Sequence, residues 1–84
     1  MHKDLTKITQ RMKELSSEQI DIKDTSDLKV ICSLNGNSVM LKVTIDAIEL
    51  YDFVGGKPQF FCKYGSTSTQ DEINEVAIDA VRRL

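Results

Sequence analysis

The sequence predicts an α+β domain in two layers: a helix, a three- or four-stranded antiparallel sheet, and a second helix. Three observations carry this. Asn35-Gly36 lies between two apolar runs, over 28–34 and 39–45, and Asn-Gly takes the two positive-φ positions of a type I′ hairpin turn. The first and last segments each carry a helical apolar stripe rather than an alternating pattern. With 84 residues, 40% hydrophobic and 29% charged, the chain has the length and balance of a single globular domain over 1–84 with one core.

The first helix is expected over 4–20. Leu5, Ile8, Met12 and Leu15 recur on one face, and Asp4 is a suitable N-cap. Residues 21–27 read Asp-Ile-Lys-Asp-Thr-Ser-Asp, which is short, polar and turn-like. Strands follow over 28–34 and 38–45. A two-residue turn makes Leu34 face Asn37, Cys32 face Val39, Val30 face Leu41 and Leu28 face Val43, so one face becomes wholly apolar. A one-residue slip would destroy that face. The other face sets Lys29 against Lys42, Ile31 against Met40 and Ser33 against Ser38. Ile31 and Met40 are then an apolar pair on a polar surface, read either as a scattered pair or as a patch for a protein partner or a homodimer.

The alternation breaks at Asp46-Ala47, where a bulge or bend would restore continuity. Residues 48–54 are read as a strand, with a short helix over 47–54 as the rival. Gly55-Gly56-Lys57-Pro58 forms a second reverse turn into a strand over 59–64, and 65–68 is a loop. Thr69 and Glu72 make a capping box for a helix over 70–83. Its stripe is Ile73, Val76, Ala77, Ala80, Val81 and Leu84, with acids at its start and Arg82 and Arg83 at its end, as the helix dipole favours.

Composition excludes several classes. No apolar run approaches the ~20 residues of a membrane span. The opening Met1-His2-Lys3-Asp4 has no apolar h-region, so no signal peptide is expected. Cys32 and Cys62 read as reduced core thiols of a cytoplasmic protein. His2 is the only histidine, so a Ser-His or Cys-His pair would have to use it. No Cys/His spacing suits zinc and no glycine-rich loop suits phosphate. Asp46, Glu49 and Asp52 are acids close in sequence, and two carboxylates could in principle do acid–base or metal work. The reading is therefore a non-enzymatic binding module with no cofactor.

Two features suggest a ligand. Lys3, Lys7 and Arg11 recur every four residues beside the apolar stripe of the first helix, either as a solvated flank or as a phosphate-contacting ridge. All the aromatic residues, Tyr51, Phe53, Phe60, Phe61 and Tyr64, fall between 51 and 64, interleaved with Lys57 and Lys63. Most of them are expected to fill the core, with one of the adjacent pair Phe60 and Phe61 facing away. Aromatics beside lysines can also form a stacking platform for unpaired bases.

The order helix, three antiparallel strands, helix resembles the double-stranded-RNA-binding domain. Ser68 matches the serine that opens that family's second helix, and Ala77, Ala80, Val81 and Leu84 fall on its alanine–leucine face. The family's phosphate-gripping lysines are Thr69, Gln70 and Ile73 here, beside Asp71 and Glu72, and its Gly-Pro-x-His loop is replaced by the tight Asn35-Gly36 turn. The resemblance implies a related fold and, by analogy, RNA binding of low sequence specificity. In this chain the grip would come from Lys3, Lys7, Arg11, Lys57 and Lys63. The alternative function is a protein-binding inhibitor or adaptor acting through Ile31 and Met40.

Overall fold

The computed structural model describes residues 1–65 and 67–84. Its elements are α1 (Lys3–Leu15), β1 (Asp21–Ser26), β2 (Lys29–Leu34), β3 (Asn37–Val43), β4 (Ile48–Val54), β5 (Lys57–Tyr64) and α2 (Gln70–Arg82). The strands form one antiparallel sheet in the order β1-β2-β3-β4-β5. The α+β class is as expected, with five strands instead of three or four. The loop expected over 65–68 includes Ser66, which lies outside the described residues.

The β2–β3 hairpin has the expected register. Lys29 pairs with Lys42, Val30 with Leu41, Ile31 with Met40, Cys32 with Val39, Ser33 with Ser38 and Leu34 with Asn37. Asn35 (φ 53°) and Gly36 (φ 84°) close it with both positive-φ positions of the turn. Gly55 (φ 61°) and Gly56 (φ 80°) do the same between β4 and β5. Side-chain alternation then sends Val30, Cys32, Val39, Leu41, Val43, Ile48, Leu50 and Tyr64 into one buried cluster. Both helices add to that cluster, Leu5, Ile8 and Met12 from α1 and Ile73, Val76, Ala77 and Ala80 from α2, and Ile20 joins it from the connection after α1. The two helices also contact each other, and Arg11 Nε donates to Asn74 Oδ1 across them at 2.8 Å. No helix among the described residues is long and apolar enough to cross a membrane.

Several expectations are corrected. The polar segment read as a turn is strand β1, an edge strand whose one inward side chain, Ile22, sits opposite Cys32 and packs against the core. Pairing with β2 overrides its weak intrinsic preference. Helix α1 stops at Leu15, not at residue 20. Ser16 Oγ accepts from Glu18 N–H at 3.2 Å and donates to Glu18 O at 2.7 Å, a local turn that competes with the helix. Leu15 is left exposed, while Ile20 enters the core after the turn. Leu28, expected to pack opposite Val43, lies in the β1–β2 turn and is 47% exposed, although its carbonyl accepts the Val43 N–H at 2.8 Å. The break near Asp46-Ala47 is a loop closed by the Thr44 N–H on Ala47 O at 2.8 Å, and Val43 pairs directly with Ile48. Residues 48–54 are strand, as preferred over the rival helix.

The aromatics depart most from expectation. Of the five, only Tyr64 is in the core, and Phe60 and Phe61 are both exposed. The cause is a register shift: Leu50 pairs with Cys62 and Tyr51 with Phe60, leaving Phe61 as an extra residue. Arg83 covers Phe61, with its guanidinium carbon 3.3 Å from the ring centroid, and its Nε lies 3.3 Å from Asp52 Oδ2. Irregularities in both outer strands, with Asp21, Lys23 and Asp24 on β1 and Pro58 on β5, discourage edge-to-edge pairing.

Helix α2 begins with the expected capping box. The Glu72 N–H donates to Thr69 Oγ1 at 3.2 Å and the Thr69 N–H to Glu72 Oε1 at 3.0 Å. Thr69→Ala should therefore cost about 1 kcal/mol. Gly36→Ala should cost about 1 kcal/mol as well, because an L side chain is strained at positive φ. Denaturant unfolding of each variant checks both values.

Candidate nucleic-acid interface

The helices cover one face of the sheet and leave the other open. The strand pairings put a continuous row of side chains across that open face. Lys23 is opposite Ile31, Ile31 opposite Met40, Met40 opposite Tyr51, and Tyr51 opposite Phe60. A second row lies beside it: Lys29 opposite Lys42, Lys42 opposite Glu49, and Glu49 opposite Lys63. On the other flank Ser33 and Ser38 share a 2.8 Å hydroxyl hydrogen bond. An apolar and aromatic band thus crosses the sheet with a lysine row along one side.

The charge is segregated. The open face carries Lys23, Lys29, Lys42 and Lys63 against Asp21 and Glu49, so it is net positive on a chain of net charge −2. Among the described residues the ion pairs are His2–Asp4, Arg11–Glu14 and Arg83–Asp52. None uses a lysine of this face. Glu49, although flanked by Lys42 and Lys63, accepts the Tyr51 hydroxyl at 2.8 Å. That bond, with a smaller contribution from burial, raises the Tyr51 pKa. The Tyr51 and Phe60 rings meet edge to face, with centroids 5.7 Å apart and planes at 80°. Phe60 is 54% exposed.

The sequence-predicted binding residues are divided between the two layers. Lys3, Lys7 and Arg11 lie on α1, on the helix side of the sheet, and Arg11 is engaged by Asn74 and by Glu14 at 3.4 Å. Lys57 sits at the β4–β5 turn, opposite Val54. Lys63 alone of the five is on the open face. The five therefore do not form one surface. Ile31 and Met40 are directly opposed there, as expected, and Tyr51 and Phe60 extend their row. Carrying the β2–β3 register across the 44–47 loop would have revealed that extension, but the loop and the extra residue at Phe61 hid it. The acids Asp46, Glu49 and Asp52 diverge: Asp46 is in an exposed loop, Glu49 on the open face, and Asp52 on the helix side against Arg83. Among the described residues no His, Cys, Asp or Glu group could hold a metal ion.

No family model, curated protein or solved structure matches the chain.

On the helix side, Cys32 and Tyr64 are buried in the core. Burial pushes the Cys32 thiol up from 9.0 to about 12, against a small opposing pull from Lys13. Tyr64 is raised too, first by burial and then by the 2.6 Å hydrogen bond from its hydroxyl to Asp79. Both groups hold their protons more tightly when folded than when unfolded. For Cys32 the stabilisation is thus complete below about pH 9 and is lost as pH climbs toward 12, whereas for Tyr64 the loss begins only above about pH 10. Unfolding free energy should fall over that range, and less steeply in Cys32→Ala, as denaturant titrations at stepped pH would measure. In the native protein at pH 8, a disulfide reagent should label Cys62 and reach Cys32 only on unfolding.

Proposed function

We propose that this chain is a small RNA-binding module that uses the open face of its sheet. The observation that carries the reading is the apolar and aromatic row from Ile31 to Phe60 with Lys29, Lys42 and Lys63 beside it, which make no ion pair among the described residues. Apolar and aromatic side chains can cover base surfaces, while lysine ammoniums act as point charges on phosphates. Lysine–phosphate contacts carry no base information, so sequence specificity is low. The resemblance to double-stranded-RNA-binding domains rests on an order of helix, three strands and helix, whereas this sheet has five strands, so the reading stands on the face itself and not on that analogy.

A second reading rests on the same row. Ile31, Met40, Tyr51 and Phe60 form an apolar band that a protein partner, or a second copy of the chain, could cover. The lysine row favours RNA over self-association, because a positive face attracts polyanions generally.

RNA affinity should fall steeply with salt, with a log–log slope of about −2 to −3, in line with three phosphate-contacting lysines. Lys42→Glu combined with Lys63→Glu should weaken binding at least tenfold and flatten that slope, while Lys7→Glu on α1 should leave both nearly unchanged. Fluorescence anisotropy with a labelled RNA across a salt series checks this. Absence of binding at low salt would refute RNA and leave the protein-partner reading.

A further inference from the structure

We infer that the open face takes an unpaired RNA strand, not a duplex, and that the strand crosses the sheet perpendicular to the β-strands, with its bases on the Ile31–Phe60 row and its phosphates on the lysine row. The inference rests on the RNA reading above and specifies the ligand's form and path.

Three observations carry it. The two rows run parallel, and both run across the strands, because each is built from directly opposed residues on successive strands. A ligand that has bases along one edge and phosphates along the other matches them only if its backbone follows the rows. Next, the apolar row offers nothing to a duplex surface. A-form RNA presents phosphates and 2′-hydroxyls outward and hides its base faces. Laying it on Ile31, Met40, Tyr51 and Phe60 would desolvate polar groups against side chains that cannot hydrogen-bond them, apart from the Tyr51 hydroxyl, which Glu49 already holds. Finally, the footprint is short. Ile31 to Phe60 spans three inter-strand gaps of ~4.8 Å, about 14 Å, whereas modules that read double-stranded RNA by shape engage about 16 base pairs.

The ring geometry assigns roles within the row. Planes at 80° cannot both lie parallel to one stack of bases. Phe60, 54% exposed at the end of the row, is the stacking platform. Tyr51, its hydroxyl tied to Glu49, is the wall against which Phe60 is held. Lys63 lies in the adjacent row on the same strand as Phe60, and supplies the phosphate contact for the stacked nucleotide.

The test compares a labelled 12-nucleotide uridine oligomer with a 12-base-pair RNA duplex on the full chain at one low salt concentration. The oligomer should bind at least tenfold more tightly. Phe60→Ala should cost the oligomer about tenfold, within the range measured for single base–aromatic stacks, and Phe60→Tyr should restore it. Phe60 is exposed, so the alanine variant should keep its fold, which circular dichroism and the unfolding midpoint verify. Equal binding of duplex and oligomer, or full oligomer binding by Phe60→Ala, would overturn the unpaired-strand inference while leaving RNA binding intact. If neither RNA binds, the RNA reading itself fails and this inference fails with it.

Discussion

The phase of the β2–β3 hairpin governs the rest of the molecule. With Asn35 and Gly36 as a two-residue turn, Leu34 must face Asn37, and every other side chain on the two strands is then assigned to a face. Because the side-chain period is two, no intermediate arrangement exists. Val30, Cys32, Val39 and Leu41 either all face the helices or all face water. The neighbouring strands inherit this phase: β1 through the pairing of Ile22 with Cys32, and β4 through Leu41 with Leu50. The buried core and the open face are therefore two outcomes of one choice of register.

The helices meet this frame with complementary shapes. Helix α1 contributes the large side chains Leu5, Ile8 and Met12, and α2 contributes Ala77 and Ala80 beside Ile73 and Val76. Large against small lets the helices touch each other and the sheet at once. At the C-terminal end of α2, Arg83 bridges Asp52 and the ring of Phe61. The extra residue in β5 is thus not a defect in the ladder. It frees Phe61 from strict pairing and gives the end of the helix an aromatic surface to rest on.

Legibility in the sequence followed the strength of local rules. The hairpin, the second glycine turn and the α2 capping box rest on positive φ and on one side-chain hydrogen bond, and each was readable from a few adjacent residues. Strand β1 was not, because its six residues carry one apolar anchor and owe their conformation to β2. The end of α1 depended on a serine side chain choosing a turn over a helix. The candidate site was half legible. Ile31 and Met40 followed from the turn alone, but aligning them with Tyr51 and Phe60 required the loop over 44–47 and the offset at Phe61, and neither has a distinctive local signature. The basic ridge on α1 was real as a pattern, yet α1 lies on the far side of the sheet from Lys63.

The strand order β1-β2-β3-β4-β5 also bears on how the chain finds its fold. Each strand pairs only with its neighbours in sequence, so every step in building the sheet closes a short connection and costs little chain entropy. The helices are different. Arg11 and Asn74, which join them, are 63 positions apart, and bringing them together confines nearly the whole chain. In the meander β1 and β5 lie at opposite edges but only four inter-strand gaps apart, about 19 Å, so a sheet that forms first completes part of that long closure before the helices touch. The sheet is thus both the wall of the core and the device that makes a contact between distant segments of the chain inexpensive to form.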